Sequence, residues 1–399
     1  EYVENKFAYK NKFSHFIKRK KDQWFPNSYW AIDGSKIDWI HYYDNDLGMA
    51  AKMKIDPVID VYSEKIIGWS YSDTENHIDH FTALKMAVNT SGDRPYMFTY
   101  DNQSGHKSAR MQALYDGLVS RQGGLHYPNK ARAHNSPVES VFNRLQQQVI
   151  NIFWFSDKQS PTVRTLDNKP NMEFVAEHKH KLMNKEDLLK AWEVCVKLWN
   201  EAKHPKYKLS RNEVFDQEAP MSESFELQDK IDLFWIYNNG SKYNRGGISL
   251  KVAKREYEFE VLNANGHIDL EFRRKNVGKK LLVKYDPDFL NDFVCLYEEH
   301  ANGTRTFVAN AQPKRAHESI PVLMQDGDKE AWKKDYDVRD LELERDKAAL
   351  AQVQKRTGIT PERLIEQQEL LIKMGGDLPK EQRLKLDAEP VKLGTTDRW

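Results

Sequence analysis

Apolar and polar positions change period several times along the 399-residue chain, and each change marks an element. "SYWAIDGSKIDWIHYY" reads as a strand, a turn and a second strand. "PVIDVYSEKIIGWSYS" reads as two β-rich runs around Ser63-Glu64-Lys65. "NHIDHFTALKMAV" then carries Ile78, Phe81, Leu84, Met86 and Val88 at helical spacing. "YMFTYD" is a short strand of the buried type that ends at Asp101. "SARMQALYDGLVS" predicts a helix, "LHYP" a short strand and "AHNSPVESVFNRLQQQV" another helix. Strand-like runs come first, followed by helix, strand, helix, strand and helix. This order predicts an α/β domain, one mixed sheet with helices packed on its faces.

Residues 151–184 lose this periodicity. "SPTVRTLDNKPNMEF" is dotted with Pro and Asn and reads as an insertion or long loop. Helix returns in "NKEDLLKAWEVCVKLWNEAKH", which starts near Asn184 or Lys185 and turns Leu188, Leu189, Trp192, Val196 and Trp199 to one face. From about residue 236 the runs become short and strand-like, as in "GGISLKVAKREYEFEVL", "KKLLVKYDP", "DFVCLYEE" and "RTFVANA". Separated by Gly, Asn and Asp, they predict a small all-β barrel or sandwich. Beyond Pro321 the chain is polar and helical. Its last helix, in "TPERLIEQQELLIKMGG", has Thr360 at the N-cap, Pro361 at the first helical position and Gly375-Gly376 at the exit. The divisions are therefore 1–24, 25–220, 221–320 and 321–399. The first holds "KFSHFIKRKKDQW", a basic stretch that reads as a solvated linker or a nucleic-acid contact.

Charge changes this picture little. Sixty-one basic and 60 acidic side chains leave a formal charge of +1, so any basic surface is local. Cysteine says more. Cys195 and Cys295 are the only two, which excludes a disulfide framework and Cys-rich zinc sites and fits a reducing compartment. No apolar run reaches the ~18 residues of a membrane span and no secretory signal opens the chain. A start at Glu1 without Met reads as a fragment or a processed product.

The candidate chemistry sits in three carboxylates. Asp33 follows Trp30-Ala31-Ile32, Asp101 follows Phe98-Thr99-Tyr100, and Glu139 opens the helix after Ser136. Each has a bland reading. Asp33 stands beside Gly34 as a turn residue would, Asp101 and Asn102 fit an Asx-turn, and Ser136-Pro137-Val138-Glu139 is a capping box. Together they sit at the ends of elements that would converge in one domain. Ionised carboxylates that interrupt or end apolar strands are costly unless a cation or hydrogen bonds compensate them. Asp38, Asp44, Asp60 and Asp73 are rivals, most of them in turns or polar alternations.

These segments resemble the DDE transposase/integrase superfamily with its ribonuclease H-like core. The resemblance is carried by "WAIDGSKID", "PVIDVYSEKIIGWSYS", "FTYDNQSGHKS", "HYPNKARAHNSPVESVFNRLQ" and the closing "WNEAKHPKYKLSRNEVF". The β segment resembles the C-terminal barrel of phage Mu-type transposases, so the likeness runs over roughly residues 25–320, with a Mu-like tail behind it. One departure is local: Asn102 is followed by Gln103-Ser104-Gly105, where the family often has Asn-Gly.

The resemblance implies a ribonuclease H-like catalytic domain, a β-barrel and a helical tail, behind a basic linker from a DNA-binding region not contained in the chain. It implies two Mg²⁺ (or Mn²⁺) ions, with Asp33 bridging both, Asp101 completing one site and Glu139 the other. The activity implied is cleavage at transposon or prophage ends to expose 3′-OH groups, then joining of those groups to target DNA. Asn102, Lys107, Lys130, Arg132, His134 and Asn135 are candidate phosphate contacts, as are Arg273, Arg274, Lys275, Lys279 and Lys280 in the barrel. Implied partners are end and target DNA, further copies of the chain on that DNA, and an AAA+ ATPase docking on the tail. The implied setting is the nucleoid of a bacterial or phage-infected cell, in the cytoplasm and away from membrane. Two rivals stand beside this reading: a catalytically silent DNA-binding relative, and a ribonuclease H-like nuclease that joins nothing.

Overall fold

A computed structural model describes residues 12–13, 20–32, 41–72, 77–102, 104–129, 137–150, 172–315, 317–318 and 320–373. Asp33, Asp38, Asp73, Lys130, Arg132, His134, Asn135 and Ser136 lie outside the described residues, as does most of the expected 151–184 insertion. The chain divides into two compact units, Glu1–Phe234 and Trp235–Trp399.

The first unit is built on a five-stranded sheet. Its strands are β1 (Tyr29–Ile32), β4 (Lys54–Asp60), β5 (Ile66–Ser72), β6 (Met97–Tyr100) and β7 (Leu125–Pro128), in the order β5-β4-β1-β6-β7. β5, β4 and β1 pair antiparallel; β1, β6 and β7 pair parallel. The sheet is thus mixed, as the order of elements predicts. Between β1 and β4 lies a separate ribbon, β2 (His41–Asp44) with β3 (Met49–Lys52). The second expected strand therefore pairs locally and stays out of the main sheet. Its turn explains why: Asp44 Oδ1 accepts from the Asp46 and Leu47 amides, and Gly48 adopts φ +62°.

β1 is buried along its whole length, and its alternation feeds two cores. Tyr29 and Ala31 join Ile55, Ile59 and Ile66 on one face, Trp30 and Ile32 join Val58, Ile67 and Phe98 on the other. Helices cover both faces: α1 (His77–Ser91), α2 (Ala109–Leu118), α3 (Pro137–Gln148), α4 (Met172–Glu177) and α5 (Lys185–Glu201). α3 contributes Val138, Val141 and Leu145 to the first core, and α5 adds Leu188, Trp192 and Trp199. α1 and α2 contribute Ala83, Leu84, Ala87, Val88, Met111, Leu114 and Leu118 to the second. Each fully buried large side chain contributes about 1.5–3 kcal/mol.

Helix α1 turns a different face inward from the one its spacing suggests. Ala83, Leu84, Ala87 and Val88 are buried, whereas Ile78 is 61% and Met86 41% exposed. The cause is close approach to β5. A Cβ on Gly68 would lie 2.3 Å from the Ala83 carbonyl oxygen and 2.6 Å from the Ala87 amide, so only small residues fit between helix and strand. α5 follows expectation more closely. Asn184 caps it by accepting from the Asp187 amide, and Leu188, Trp192 and Trp199 are buried with Cys195. Near its end Asn200 accepts from the Ile66 amide and donates to the Ile66 carbonyl, completing the open edge of β5. The unit closes with α6 (Arg211–Phe215) and α7 (Leu227–Phe234).

The second unit holds one antiparallel sheet. Its strands are β8 (Ile236–Tyr237), β9 (Ser241–Lys242), β10 (Ile248–Val252), β11 (Arg255–Glu260), β12 (Lys280–Tyr285), β13 (Val294–Glu299) and β14 (Arg305–Pro313). The path runs β10-β11-β14-β13-β12-β8, with β9 alongside β12. Tyr243, Ile248, Leu250, Phe259, Leu281, Val283, Val294 and Leu296 form its core. A short helix, α8 (Leu270–Asn276), interrupts the strands; Asp269 caps it by accepting from the Phe272 amide. Two helices follow, α9 (Asp328–Thr357) and α10 (Pro361–Lys373). α9 buries none of its residues and ends at Gly358 with φ +67°. α10 begins as its sequence predicts, with Thr360 Oγ1 accepting from the Arg363 amide. No described helix is long and apolar enough to cross a membrane.

Candidate active site around Asp101

Parallel pairing of β1 and β6 sets the frame. Tyr29 lies opposite Met97, Trp30 opposite Phe98 and Ala31 opposite Thr99. β6 ends at Tyr100, and Asp101 follows with its carboxyl side chain 27% exposed. The strand before it is buried, so the carboxylate emerges at a sheet end where charge can meet solvent or a cation. Glu139 is the third residue of α3, the helix whose Val138, Val141 and Leu145 pack on the β1–β4 face. Asn102 and Lys107 are exposed beside Asp101, the latter in a 3₁₀ turn over Ser104–Lys107.

Behind Asp101 lies a group of rings that the sequence reading passes over. His106 Nε2 is 3.7 Å from Asp101 Oδ1, and the imidazole is wholly buried. Its Nδ1 lies 2.5 Å from the Tyr115 hydroxyl. The ring stacks on His80 at 4.1 Å between centroids, and His80 Nδ1 in turn lies 3.3 Å from Asp56 Oδ2. Tyr100 packs 5.0 Å from His106, and Gln112 Nε2 donates both to the Tyr100 hydroxyl and to the His106 carbonyl. Burial pushes His106 down to about 4, leaving it neutral near pH 7. Burial also pushes the Tyr115 phenol up, helped by nearby Tyr100 and Asp101, so it keeps its proton. In the sequence, His106 reads as one polar residue of a polar loop; its neighbour Lys107 draws attention instead.

A second missed group holds α3 in place. Glu64, in the β4–β5 turn, pairs with Arg144 of α3 and lies 3.5 Å from Arg211 Nη2 of α6. Arg211 is fully buried, with its guanidinium 3.3 Å from the Trp199 ring centre, and His204 stands 3.8 Å from Glu64. Burial pushes Arg211 down to about 10, against the pull of Glu64. Arg144 shares α3 with Glu139, so this cluster ties the helix to the turn and to the end of the unit.

Of the rival acidic residues, the two described ones, Asp44 and Asp60, have local roles. Asp44 closes the β2–β3 turn. Asp60 is buried and accepts from the Asn27 amide and from the amide and hydroxyl of Ser63. Among the described residues, no group of three or more His, Cys, Asp or Glu comes together to hold a metal ion.

In the second unit the five candidate cations divide. Arg273 donates to Glu260 at 2.8 Å and lies 3.6 Å from Glu342, and Arg274 pairs with Asp346 at 2.5 Å. Glu260 is buried and also accepts from the Tyr243 hydroxyl, so Arg273 belongs to an internal network. Lys275, Lys279 and Lys280 are exposed.

Comparison with protein-family models and with curated proteins finds no match. Solved structures similar to the chain include an intasome and two integrase catalytic cores. One is a simian T-cell lymphotropic virus intasome in complex with the PP2A regulatory subunit B56 gamma, 12% identical with a TM-score of 0.34, covering 75% of this chain and 82% of that one. Another is the HTLV-2 integrase catalytic core domain in complex with magnesium, 15% identical with a TM-score of 0.30, covering 48% of this chain and 99% of that one. A third is the catalytic core domain of BIV integrase, 10% identical with a TM-score of 0.29, covering 47% of this chain and 93% of that one.

Proposed function

We propose that the chain is a DDE-type DNA transposase of the phage Mu kind, which cleaves at the ends of a mobile element and joins the exposed 3′-OH groups to target DNA. The observation that carries this reading is the pairing of β1 with β6. Their paired residues stand at one constant separation in the sequence, and Asp33 and Asp101 stand at that same separation. Glu139 stands in the first turn of a helix packed on the same sheet. Three carboxylates at strand and helix ends are the donor set that hard divalent cations take.

Asp33, Asp101 and Glu139 would hold Mg²⁺ or Mn²⁺. When bound, such ions would supply activation of the attacking oxygen and neutralisation of charge on the leaving one. The remaining work falls to the chain. Asn102 and Lys107, exposed beside Asp101, would position the scissile phosphate without reading sequence. Lys130, Arg132, His134 and Asn135, on the segment leading to Glu139, would do the same. In the second unit, closure of the sheet into a Mu-type barrel would present Lys275, Lys279 and Lys280 to DNA or to another copy. Two ends joined at one target require at least two active sites, so the working form is a multimer on DNA. The tail would receive an AAA+ ATPase.

The test supplies the full chain with Mg²⁺ and DNA bearing the ends of the element that encodes it, and sequences the products. Nicks exposing 3′-OH at the ends, followed by joined molecules, are expected. Asp33→Asn, Asp101→Asn and Glu139→Gln should each abolish both products and leave DNA retention unchanged. Cleavage without joining would replace the reading with a simple nuclease; retention without cleavage would replace it with a silent DNA-binding protein.

A further inference from the structure

Inside the first unit, one buried polar atom faces the candidate site and has no hydrogen-bond partner: His106 Nε2. Buried donors and acceptors are almost always paired, so an orphan aimed at an exposed carboxylate calls for a reason. The tautomer follows from its surroundings. The Tyr115 hydroxyl lies 2.5 Å from Nδ1, in position to donate to it. An imidazole whose Nδ1 accepts carries its hydrogen on Nε2. The opposite tautomer would turn a bare lone pair toward the Asp101 carboxylate and leave the Tyr115 hydroxyl hydrogen without an acceptor. The 3.7 Å to Asp101 Oδ1 is too long for a hydrogen bond and is closed by a shift of less than about 1 Å.

We propose that His106 is a positioning residue for Asp101: its Nε2–H donates to the Asp101 carboxylate and orients it toward a divalent cation, while Tyr115 and the stack on His80 hold the imidazole. The inference rests on the transposase reading, in which Asp101 is a metal ligand. Partners of this kind orient a ligand and raise the affinity of a site without touching the metal. The 4.1 Å stack on His80 restrains the His106 ring against tilting away.

Mn²⁺ alone is the probe, titrated calorimetrically into the full chain. The variant His106→Phe with Tyr115→Phe keeps the ring stack and leaves no buried hydroxyl without a partner. It should bind Mn²⁺ about 10- to 100-fold more weakly, with a melting temperature close to that of the parent. His106→Gln, whose amide N–H reaches the Nε2 position, should recover most of the affinity. Tyr115→Phe alone, which frees the tautomer but keeps the imidazole, should show a smaller loss of the same sign. Parental affinity in the double Phe variant overturns the role of His106, and parental affinity in Tyr115→Phe overturns the part given to Tyr115. Asp101→Asn separates the two levels. If it binds Mn²⁺ as the parent does, the metal reading itself fails; if it loses binding while the Phe variants do not, only the positioning role fails.

Discussion

Glu64 and Arg211 face each other at 3.5 Å inside the first unit, the guanidinium fully buried and the carboxylate nearly so. The pair joins three elements, because Arg144 of α3 reaches the same carboxylate and Trp199 of α5 donates its indole N–H to the Glu64 carbonyl. Removing the carboxylate leaves the buried Arg211 guanidinium without its counter-charge, which costs about 3–5 kcal/mol. Glu64→Gln should therefore lower the denaturant midpoint by that equivalent. It should also reduce end cleavage, since α3 carries Glu139. A variant within about 0.5 kcal/mol of the parent would show that the cluster is incidental.

Gly68 tests how α1 meets the sheet. A methyl group there meets backbone of Ala83 and Ala87, which no rotamer can relieve. Gly68→Ala should cost about 3 kcal/mol, at the upper end for overpacking. Gly92, whose Cβ would meet nothing within 4 Å, is no substitute because its φ of +76° brings a different strain. A neutral result at Gly68 in urea unfolding would mean that the helix sits further from β5.

Asp60 should leave a mark on the pH dependence of stability. Burial pushes its carboxyl from 3.8 up to about 6, against hydrogen bonds from Ser63 and Asn27. The stability it contributes is fully present below 3.8 and is lost as pH rises through about 6, a change of about 3 kcal/mol. His106 acts oppositely: depressed from 6.5 to about 4, it contributes above 6.5 and loses that contribution as pH falls through about 4. The two overlap, so the parental curve alone hides both. Subtracting the parental curve from that of Asp60→Asn isolates the carboxyl. The difference should rise in favour of the variant by about 3 kcal/mol between pH 4 and 7, then level off. A flat difference would mean that Asp60 is ionised throughout.

What could be read beforehand follows the range of the interactions involved. The mixed sheet was legible because alternation in "SYWAI" and apolar runs such as "MFTY" are local signals. The position of Asp101 at the end of β6 was legible because a charge follows a buried apolar run. The helix α8 was not, although Asp269 and Gly278 bracket it, because "LEFRRKN" is short, charged and set among strands. Glu64, Arg144 and Arg211 each read as ordinary surface charges; only the fold brings them from distant positions to one buried point. The His80–His106 stack is hidden in the same way. As for α1, its face could not be assigned without knowing that Gly68 lies beneath it.

The basic residues of the second unit should separate by role. Lys275, Lys279 and Lys280 are exposed, and their joint replacement by Ala should leave the fold intact. If all three touch phosphate, the slope of log K against log salt should fall by about 0.9 for each phosphate no longer neutralised. Arg273→Ala should instead destabilise the unit, because Glu260 would remain buried and charged beside Tyr243. A binding defect in Arg273→Ala without loss of stability would reverse this assignment.

The tail offers the last test. α9 buries none of its residues and meets α8 through the Arg273–Glu342 and Arg274–Asp346 pairs. The Arg274–Asp346 pair is exposed, and pairs of this kind contribute about 0–1 kcal/mol. α10 leaves Leu364, Ile365 and Ile372 more than half exposed. An amphipathic helix of this length is marginal in water without something to pack on. Cutting the chain after Pro321 should therefore shift the melting temperature by only a few degrees. Metal-dependent end cleavage should remain detectable, while any stimulation by an AAA+ ATPase disappears. An insoluble or wholly inactive truncation would assign the tail to the fold or to the assembly of copies on DNA. In that case, the exposed apolar face of α10 would be covered by another copy of this chain rather than by an ATPase.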